Sequence, residues 1–357
     1  MEDLLKDVLA ALSVVLNGLP QGLLALTFGF ASVPTSLAFI VGAVGNAITS
    51  NVAVVSFQAE TLSVAGSMGK NMRERLSMVF FGALILTVIS LFGVMEQIVD
   101  WIGPVITNGM MAGVGFMLAR IGWDMAKNDR ITGIASCISA LITYIITKDL
   151  VYTVTISVVL SSILYNFTKT EDHSISKNIA EDQFKLQKFV INPMVIRGAL
   201  ALVCLNIGAN IAFGKINAGL ASKDVNIDTL TIISSLADMA SSLFGGGPVE
   251  VIISATASAP HAVFAGVLTM VILAAILLLK LLPKIGKFVP SSSIAGFLFV
   301  LGTIVTLPGN AAAALTADGA GSPFIGGITM VITAFSDPFF GMLAGIVMKF
   351  LLGIFGV

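Results

Sequence analysis

Long apolar runs separated by short polar breaks fill this chain from end to end. By length and period they predict fourteen segments, most of them helices long enough to span or nearly span a bilayer. The first seven cover 8–29, 34–50, 51–67, 76–96, 103–121, 131–147 and 150–166. The last seven cover 194–213, 229–244, 246–259, 262–282, 291–308, 323–336 and 338–355. Between them lies the longest polar stretch, 167–192, with Thr168-Lys169-Thr170-Glu171-Asp172-His173 and Glu181-Asp182. It reads as a linker joining a first unit, 1–166, to a second, 193–357.

The two units match at an offset of 186 to 190 residues. Ala10-Ala11-Leu12-Ser13-Val14-Val15-Leu16-Asn17 aligns with Ala199-Leu200-Ala201-Leu202-Val203-Cys204-Leu205-Asn206. Glu60 aligns with Glu250, Pro104 with Pro290, Ile142-Thr143 with Ile332-Thr333 and Asp149 with Asp337. Each match is weak alone, and the common offset is the signal. Both units are strings of apolar segments, so the chain reads as a duplicated membrane unit. Many secondary transporters are built this way, with the substrate site where the repeats meet.

Segments three and ten break the pattern. Asn51-Val52-Ala53-Val54-Val55-Ser56-Phe57-Gln58-Ala59-Glu60 starts β-branched and turns polar. Gly245-Gly246-Gly247-Pro248-Val249-Glu250-Val251-Ile252-Ile253-Ser254 starts with glycines and a proline. Neither makes a good continuous helix. Each is expected to be a short strand followed by a half-helix. Irregular backbone at membrane depth survives only where it is buried in protein or lines a cavity.

Composition fixes the solvent. Of 357 residues, 56% are hydrophobic and 11% charged, against roughly 25% charged in a soluble domain. Mean hydropathy is +0.99. The expectation is a multi-pass protein of a cell membrane, the bacterial inner membrane, with lipid as its main surrounding. Glu2, Asp3 and Asp7 precede the first apolar run, which makes a poor signal peptide. A net charge of −1 argues against a nucleic-acid partner. Cys137 and Cys204 give neither a disulfide framework nor metal spacing. His173 and His261 have no third ligand at a sensible spacing. The run Gly245–Gly247 lacks the lysine and Ser/Thr of a phosphate loop. No cofactor or metal is expected, and no nucleophile–base pair points to an enzyme.

Alternating fourteen spans gathers Lys70, Arg73, Arg75, Arg120, Lys127, Arg130, Lys169, Lys177, Lys185, Lys188, Arg197, Lys280, Lys284 and Lys287 on one face. The other face holds Lys6, Lys148, Lys215, Lys223 and Lys349. The positive-inside rule puts the first face, with the linker, in the cytoplasm and both termini outside.

Glu60 and Glu250 are the leading candidates for chemistry. An ionisable group inside a membrane segment is costly and by default functional. Each sits near the expected start of a half-helix, where free N–H groups and a positive dipole end face a ligand. A carboxyl there suits substrate contact or proton carriage; the plainer reading is a cap. Asn206 and its counterpart Asn17 offer a donor and an acceptor together, as a base edge requires, or serve as interhelical glue. Asn206 is the favoured contact of the two. Gln58 and Ser254 can hydrogen-bond substrate, and Ser254 can equally cap. Asp238 either lines the cavity or pins segment nine to the glycine-rich break.

Ser242-Leu243-Phe244-Gly245-Gly246-Gly247-Pro248 and a polar half-segment resemble the tenth segment of the xanthine/uracil permease (nucleobase/ascorbate transporter) family. Leu236-Ala237-Asp238 resembles part of that family's ninth segment. Trp101-Ile102-Gly103-Pro104 with Gly109 to Leu118 resembles its fifth, and Lys287-Phe288-Val289-Pro290 to Gly302 its twelfth. Asp7-Val8-Leu9-Ala10-Ala11-Leu12 to Leu19-Pro20-Gln21 is similar to the sulfate permeases, which share the fold. The resemblance implies an all-α membrane protein of fourteen segments in a 7+7 inverted repeat. It further implies a core domain (segments 1–4 and 8–11) moving against a gate domain (5–7 and 12–14), in a homodimer with cytoplasmic termini. The family carries substrate-binding acids in segments eight and ten. Here the first position reads Leu205-Asn206-Ile207-Gly208, and the second falls at Ser254, one turn after Glu250.

These readings converge on a secondary active transporter working by alternating access, a symporter driven by proton or sodium. The expected substrate is a nucleobase-like small molecule. The alternative on the same fold is a small inorganic or carboxylate anion, favoured by the sulfate-permease-like start and the half-helix dipoles.

Overall fold

The computed structural model describes residues 2–168, 175, 183–319 and 321–355. Much of the polar stretch, including His173, Glu171, Asp172, Glu181 and Asp182, lies outside the described residues.

The first half runs α1 (Glu2–Thr27), α2 (Ser32–Thr49), β1 (Val55–Ser56), α3 (Ala59–Met68), α4 (Met72–Leu91), α5 (Met95–Ile102), α6 (Pro104–Ala126), α7 (Arg130–Thr147) and α8 (Leu150–Thr168). The second runs α9 (Pro193–Ala221), α10 (Ile227–Leu243), β2 (Glu250–Val251), a 3-10 turn (Ala255–Ser258), α11 (Ala262–Leu278) and α12 (Leu281–Gly286). A mixed run follows: a 3-10 turn (Ser291–Ile294), α13 (Ala295–Val300), a π turn (Leu301–Thr306) and α14 (Leu307–Leu315). Then come α15 (Ser322–Phe335) and α16 (Pro338–Phe355). Among the described residues nine helices are long and apolar enough to cross a membrane, counting Ser291–Leu315 as one. Ile134, Ile138, Ile145, Leu160 and Ile163 stand exposed along α7 and α8. So broad an apolar exterior needs lipid, and the chain is a multi-pass membrane protein.

Polar side chains set several helix ends. Asn71, Asp129, Asn192 and Asn226 each accept the amide three residues on, capping α4, α7, α9 and α10. Asp149 caps α8 through the Val151 amide at 2.7 Å, and Asp337 caps α16 through the Phe340 amide at 3.0 Å. The Asp149–Asp337 match along the sequence is thus a repeated cap.

The packing obeys the inverted repeat. α2 packs on α11 and α4 on α10; α7 packs on α8 and α15 on α16. α6 packs on α15 and α7 on α13; α1 meets α8 and α9 meets α16. Exchanging the two halves converts each pair into its mate. The contacts fall into two bundles, α1–α4 with α9–α11 and α6–α8 with α13–α16.

Segments three and ten are strand plus half-helix, and they pair. β1 and β2 run antiparallel, with Val55 opposite Val251 and Ser56 opposite Glu250. Their remaining backbone groups find side chains, as burial away from water demands. Asn46 Nδ2 donates to the Ala53 carbonyl at 2.7 Å, and Asn217 Nδ2 to that of Ile252 at 2.7 Å. The Thr35 hydroxyl accepts from Gly247 N–H at 2.8 Å, and Asp238 Oδ1 from Val249 N–H at 2.7 Å. Asp238 therefore pins α10 to the glycine-rich break. The ladder also moves the repeat alignment locally. β1 matches β2 about five residues away from the 190-residue offset, so Glu60 corresponds to the Ser254 region rather than to Glu250. The half-helix after β2 is only one 3-10 turn, because Pro260 follows it at once.

α6 owes its close packing to small residues. A Cβ on Gly122 would sit 2.7 Å from the Ala295 carbonyl oxygen and 2.9 Å from the Phe299 nitrogen. Overpacking typically costs about 1–3 kcal/mol. Here the obstacle is backbone, so Gly122→Val is expected to reach or exceed that range. A lower apparent melting temperature in detergent, against an unchanged Gly219→Ala control, is the check; Gly219 faces open space.

Candidate functional site

A cavity of about 350 Å³ lies between the two bundles. One wall comes from the first bundle: Asn17 and Gln21 of α1, Gln58 and Glu60 at the start of α3, Gly208, Ala209, Ala212 and Phe213 of α9, and Ile252 and Ile253 after β2. The opposite wall comes from the second: Thr107, Asn108 and Met111 of α6, Leu150 of α8, Phe297 of α13, Leu301, Val305 and Thr306 of the π turn, and Asn310 of α14.

Glu60 is the one charged side chain among these lining residues. It is 9% exposed, and its carboxyl is met by its own backbone amide and the Thr306 hydroxyl. The contact crosses from one bundle to the other. Gln58 occupies the N-cap of α3 in extended backbone but does not cap it with its side chain. Its Oε1 instead accepts the Thr61 hydroxyl at 2.8 Å. Gln58 therefore leaves the first turn of α3 to the Glu60 carboxyl, which meets the Glu60 amide at a helix start that favours negative charge. Five carboxamides (Asn17, Gln21, Gln58, Asn108 and Asn310) and two threonines offer further donors and acceptors. Phe213 and Phe297 supply apolar faces.

Of the residues singled out along the sequence, Gln58 and Glu60 are on the wall together. Asn206, Glu250 and Ser254 are buried behind it. Asn206 sits between α9 and α3, its Oδ1 3.5 Å from the Thr61 hydroxyl. Asn210 turns its amide to Thr231 and Ser234 of α10, at 3.4 and 3.3 Å. Both amides knit helices, and it is Asn17, the counterpart of Asn206, that reaches the cavity. Ser254 caps the 3-10 turn by accepting from Thr256 N–H, and its own backbone amide donates to Asn217 Oδ1 at 3.0 Å. Glu250 is 1% exposed; Oε1 accepts the Val251 amide at 3.0 Å, and Oε2 meets no protein partner.

Thr107, Asn108, Thr306 and Asn310 were not singled out by sequence. Asn310, closely after Pro308 in an apolar run, is the one with a visible signal. Thr306 faces Glu60 only because the π turn adds a residue to its helical winding.

Chemically, the site can take a small polar solute between the two bundles. Glu60 can hold or release a proton within reach of that solute.

No protein-family model matches the chain, and no curated protein matches it in sequence. Solved structures do match. The transmembrane domain of a cyanobacterial bicarbonate transporter, BicA, superposes with a TM-score of 0.70 at 15% identity, over 97% of this chain and 98% of that one. Murine Solute Carrier 26 family member A9, an anion transporter in the inward-facing state, gives 0.72 at 14% identity, over 99% of this chain and 68% of that one. A second structure of SLC26A9 gives 0.71 at 16%, over 99% and 66%. At these identities the likeness is one of architecture: the chain has the fold of the transmembrane domains of these transporters.

Proposed function

We propose that this protein is a secondary transporter of a small inorganic or carboxylate anion, coupled to protons through Glu60. The observation that carries this reading is the inter-bundle cavity, where one carboxyl, Glu60, stands at the start of α3, an end that its N-cap residue Gln58 leaves free of a side-chain bond. With Glu60 protonated, the α3 amides and carboxamides present donors and a positive dipole end to an anion. With Glu60 ionised, the same site repels it. Binding an anion then requires taking up a proton, and the two travel together. The fold shared with a bicarbonate transporter and an anion transporter supports the substrate class. Movement of one bundle past the other would open the cavity to each side in turn. A homodimer is proposed with it, each chain carrying its own cavity.

A second reading, a nucleobase-like ring, is supported by one observation: five carboxamides and two phenylalanines on the wall suit a planar solute with mixed donors and acceptors. The two readings separate cleanly. Detergent-purified protein is heated with sulfate, bicarbonate, small carboxylates, uracil, xanthine and adenine. A ligand at a hundred times its Kd stabilises the folded state by about 2.7 kcal/mol. Stabilisation by an anion that grows as pH falls is the expected result. Stabilisation by bases alone would transfer the assignment to the second reading.

A further inference from the structure

We propose that the seam between α1, α8 and α12 holds an acyl chain of an acidic phospholipid, with its phosphate on Lys284. A groove of about 730 Å³ runs there, distinct from the central cavity, with Leu19, Leu23, Val159, Ile163 and Phe288 on its walls. Lys284 is the one charged residue among those lining it. Two of the polar side chains lining it, Ser162 and Asn166, are already engaged within the protein. Asn166 Nδ2 donates to the Ser162 and Phe288 carbonyls at 2.7 and 2.9 Å, and the Ser162 hydroxyl to that of Ser293 at 3.1 Å. What remains is a long apolar slot ending in a cation, the shape of one lipid chain beneath its headgroup rather than of a polar solute.

Charge complementarity selects an acidic lipid. Lys280, Lys284 and Lys287 are exposed within eight residues, and none forms an ion pair among the described residues. Lys280 adopts the left-handed conformation (φ 56°), which turns the chain from α11 into the short α12. The three ammoniums therefore stand where a membrane helix ends, on the face where most basic residues gather. Basic pockets between membrane helices at such a face bind anionic headgroups. α1 belongs to one bundle and α8 to the other, so the lipid touches both. None of the residues lining the groove lines the central cavity.

The test is native mass spectrometry of the purified full chain, titrated with phosphatidylglycerol or with phosphatidylcholine of the same acyl chains. Wild-type protein is expected to retain one phosphatidylglycerol more tightly than phosphatidylcholine. Lys284→Gln should weaken phosphatidylglycerol about fivefold, and Lys280→Gln, Lys284→Gln and Lys287→Gln together about a hundredfold. Phosphatidylcholine should be unmoved by these changes. Val159→Trp, which fills the slot from an exposed position, should weaken both lipids. Lys6→Gln, outside the groove, is the control and should change nothing. Equal retention of the two lipids by wild-type protein, or a triple variant indistinguishable from wild type, would overturn the proposal. The substituted lysines and Val159 are all exposed, so loss of the fold would not mimic these outcomes, and unchanged melting of each variant verifies it.

Discussion

Glu60→Gln is expected to abolish anion uptake driven by a proton gradient, by more than tenfold, in liposomes containing the purified protein. Glutamine keeps the size of the side chain and its hydrogen-bonding to Thr306, but it cannot gain or lose a proton. It resembles the protonated carboxyl, so anion binding should survive and lose its dependence on pH. Exchange of labelled for unlabelled anion, which needs no net proton movement, should persist for the same reason. The sign follows from the site: a wild-type carrier that needs Glu60 protonated to bind should take up anion faster as the outside is acidified, and the variant should not. Glu250→Gln provides the contrast. Glu250 lies behind the wall in β2, so its uptake should still follow the gradient. Uptake by Glu60→Gln that tracks pH as in wild type would remove Glu60 from the coupling mechanism.

The second large effect concerns the ion pair that ties the bundles together. Arg197 of α9 meets Asp337, between α15 and α16, with Nε 2.5 Å from Oδ2. Its Nη2 donates to Ser336 Oγ at 2.9 Å, and its guanidinium lies 4.8 Å from the Phe340 ring centre. Exposure is unequal: the Asp337 side chain is fully buried, whereas 35% of the Arg197 side chain reaches the surface. Removing one partner of a buried pair typically costs about 3–5 kcal/mol. Arg197→Met leaves a carboxylate stranded in the interior and should lie in that range. Asp337→Asn leaves an arginine that can turn outward, and should cost less. The double variant removes both charges and should recover much of the loss of Arg197→Met. Apparent melting temperatures in one detergent decide it. Equal losses for both single variants, with no recovery in the double, would mean that the pair acts only through packing.

How much of this was legible follows from what each signal encodes. Burial in lipid writes itself into composition and segment length, so the spans, the repeat and the two strand-plus-half-helix segments are readable from the chain. The short amphipathic helices α5 and α12 are not. α5 carries Glu96 and Asp100 on its outer side and buries only Met95 and Ile102, so it passes for a loop between spans. The apolar run of segment eleven continues into the start of α12, and only the turn at Lys280 separates the two helices. At the site, Gln58 and Glu60 stand out because polar residues interrupt an apolar run. Glu250 stands out equally, yet its placement depends on strand register, which a repeat offset drifting by a few residues cannot fix. Thr306 and Asn310 depend on a π turn, which leaves no clear mark on hydrophobic periodicity.

The ladder between β1 and β2 also has a history. β1 has no partner until residue 251 has been made, about 195 residues later. At the usual about 5–20 residues per second of synthesis, the β1 backbone waits on the order of ten seconds or more inside the membrane. Unpaired strand edges are costly in hydrocarbon. During that interval the first seven segments hold an open seam that only their inverted copy can close. The protein is assembled from two insertions but becomes one body only when the second is nearly complete.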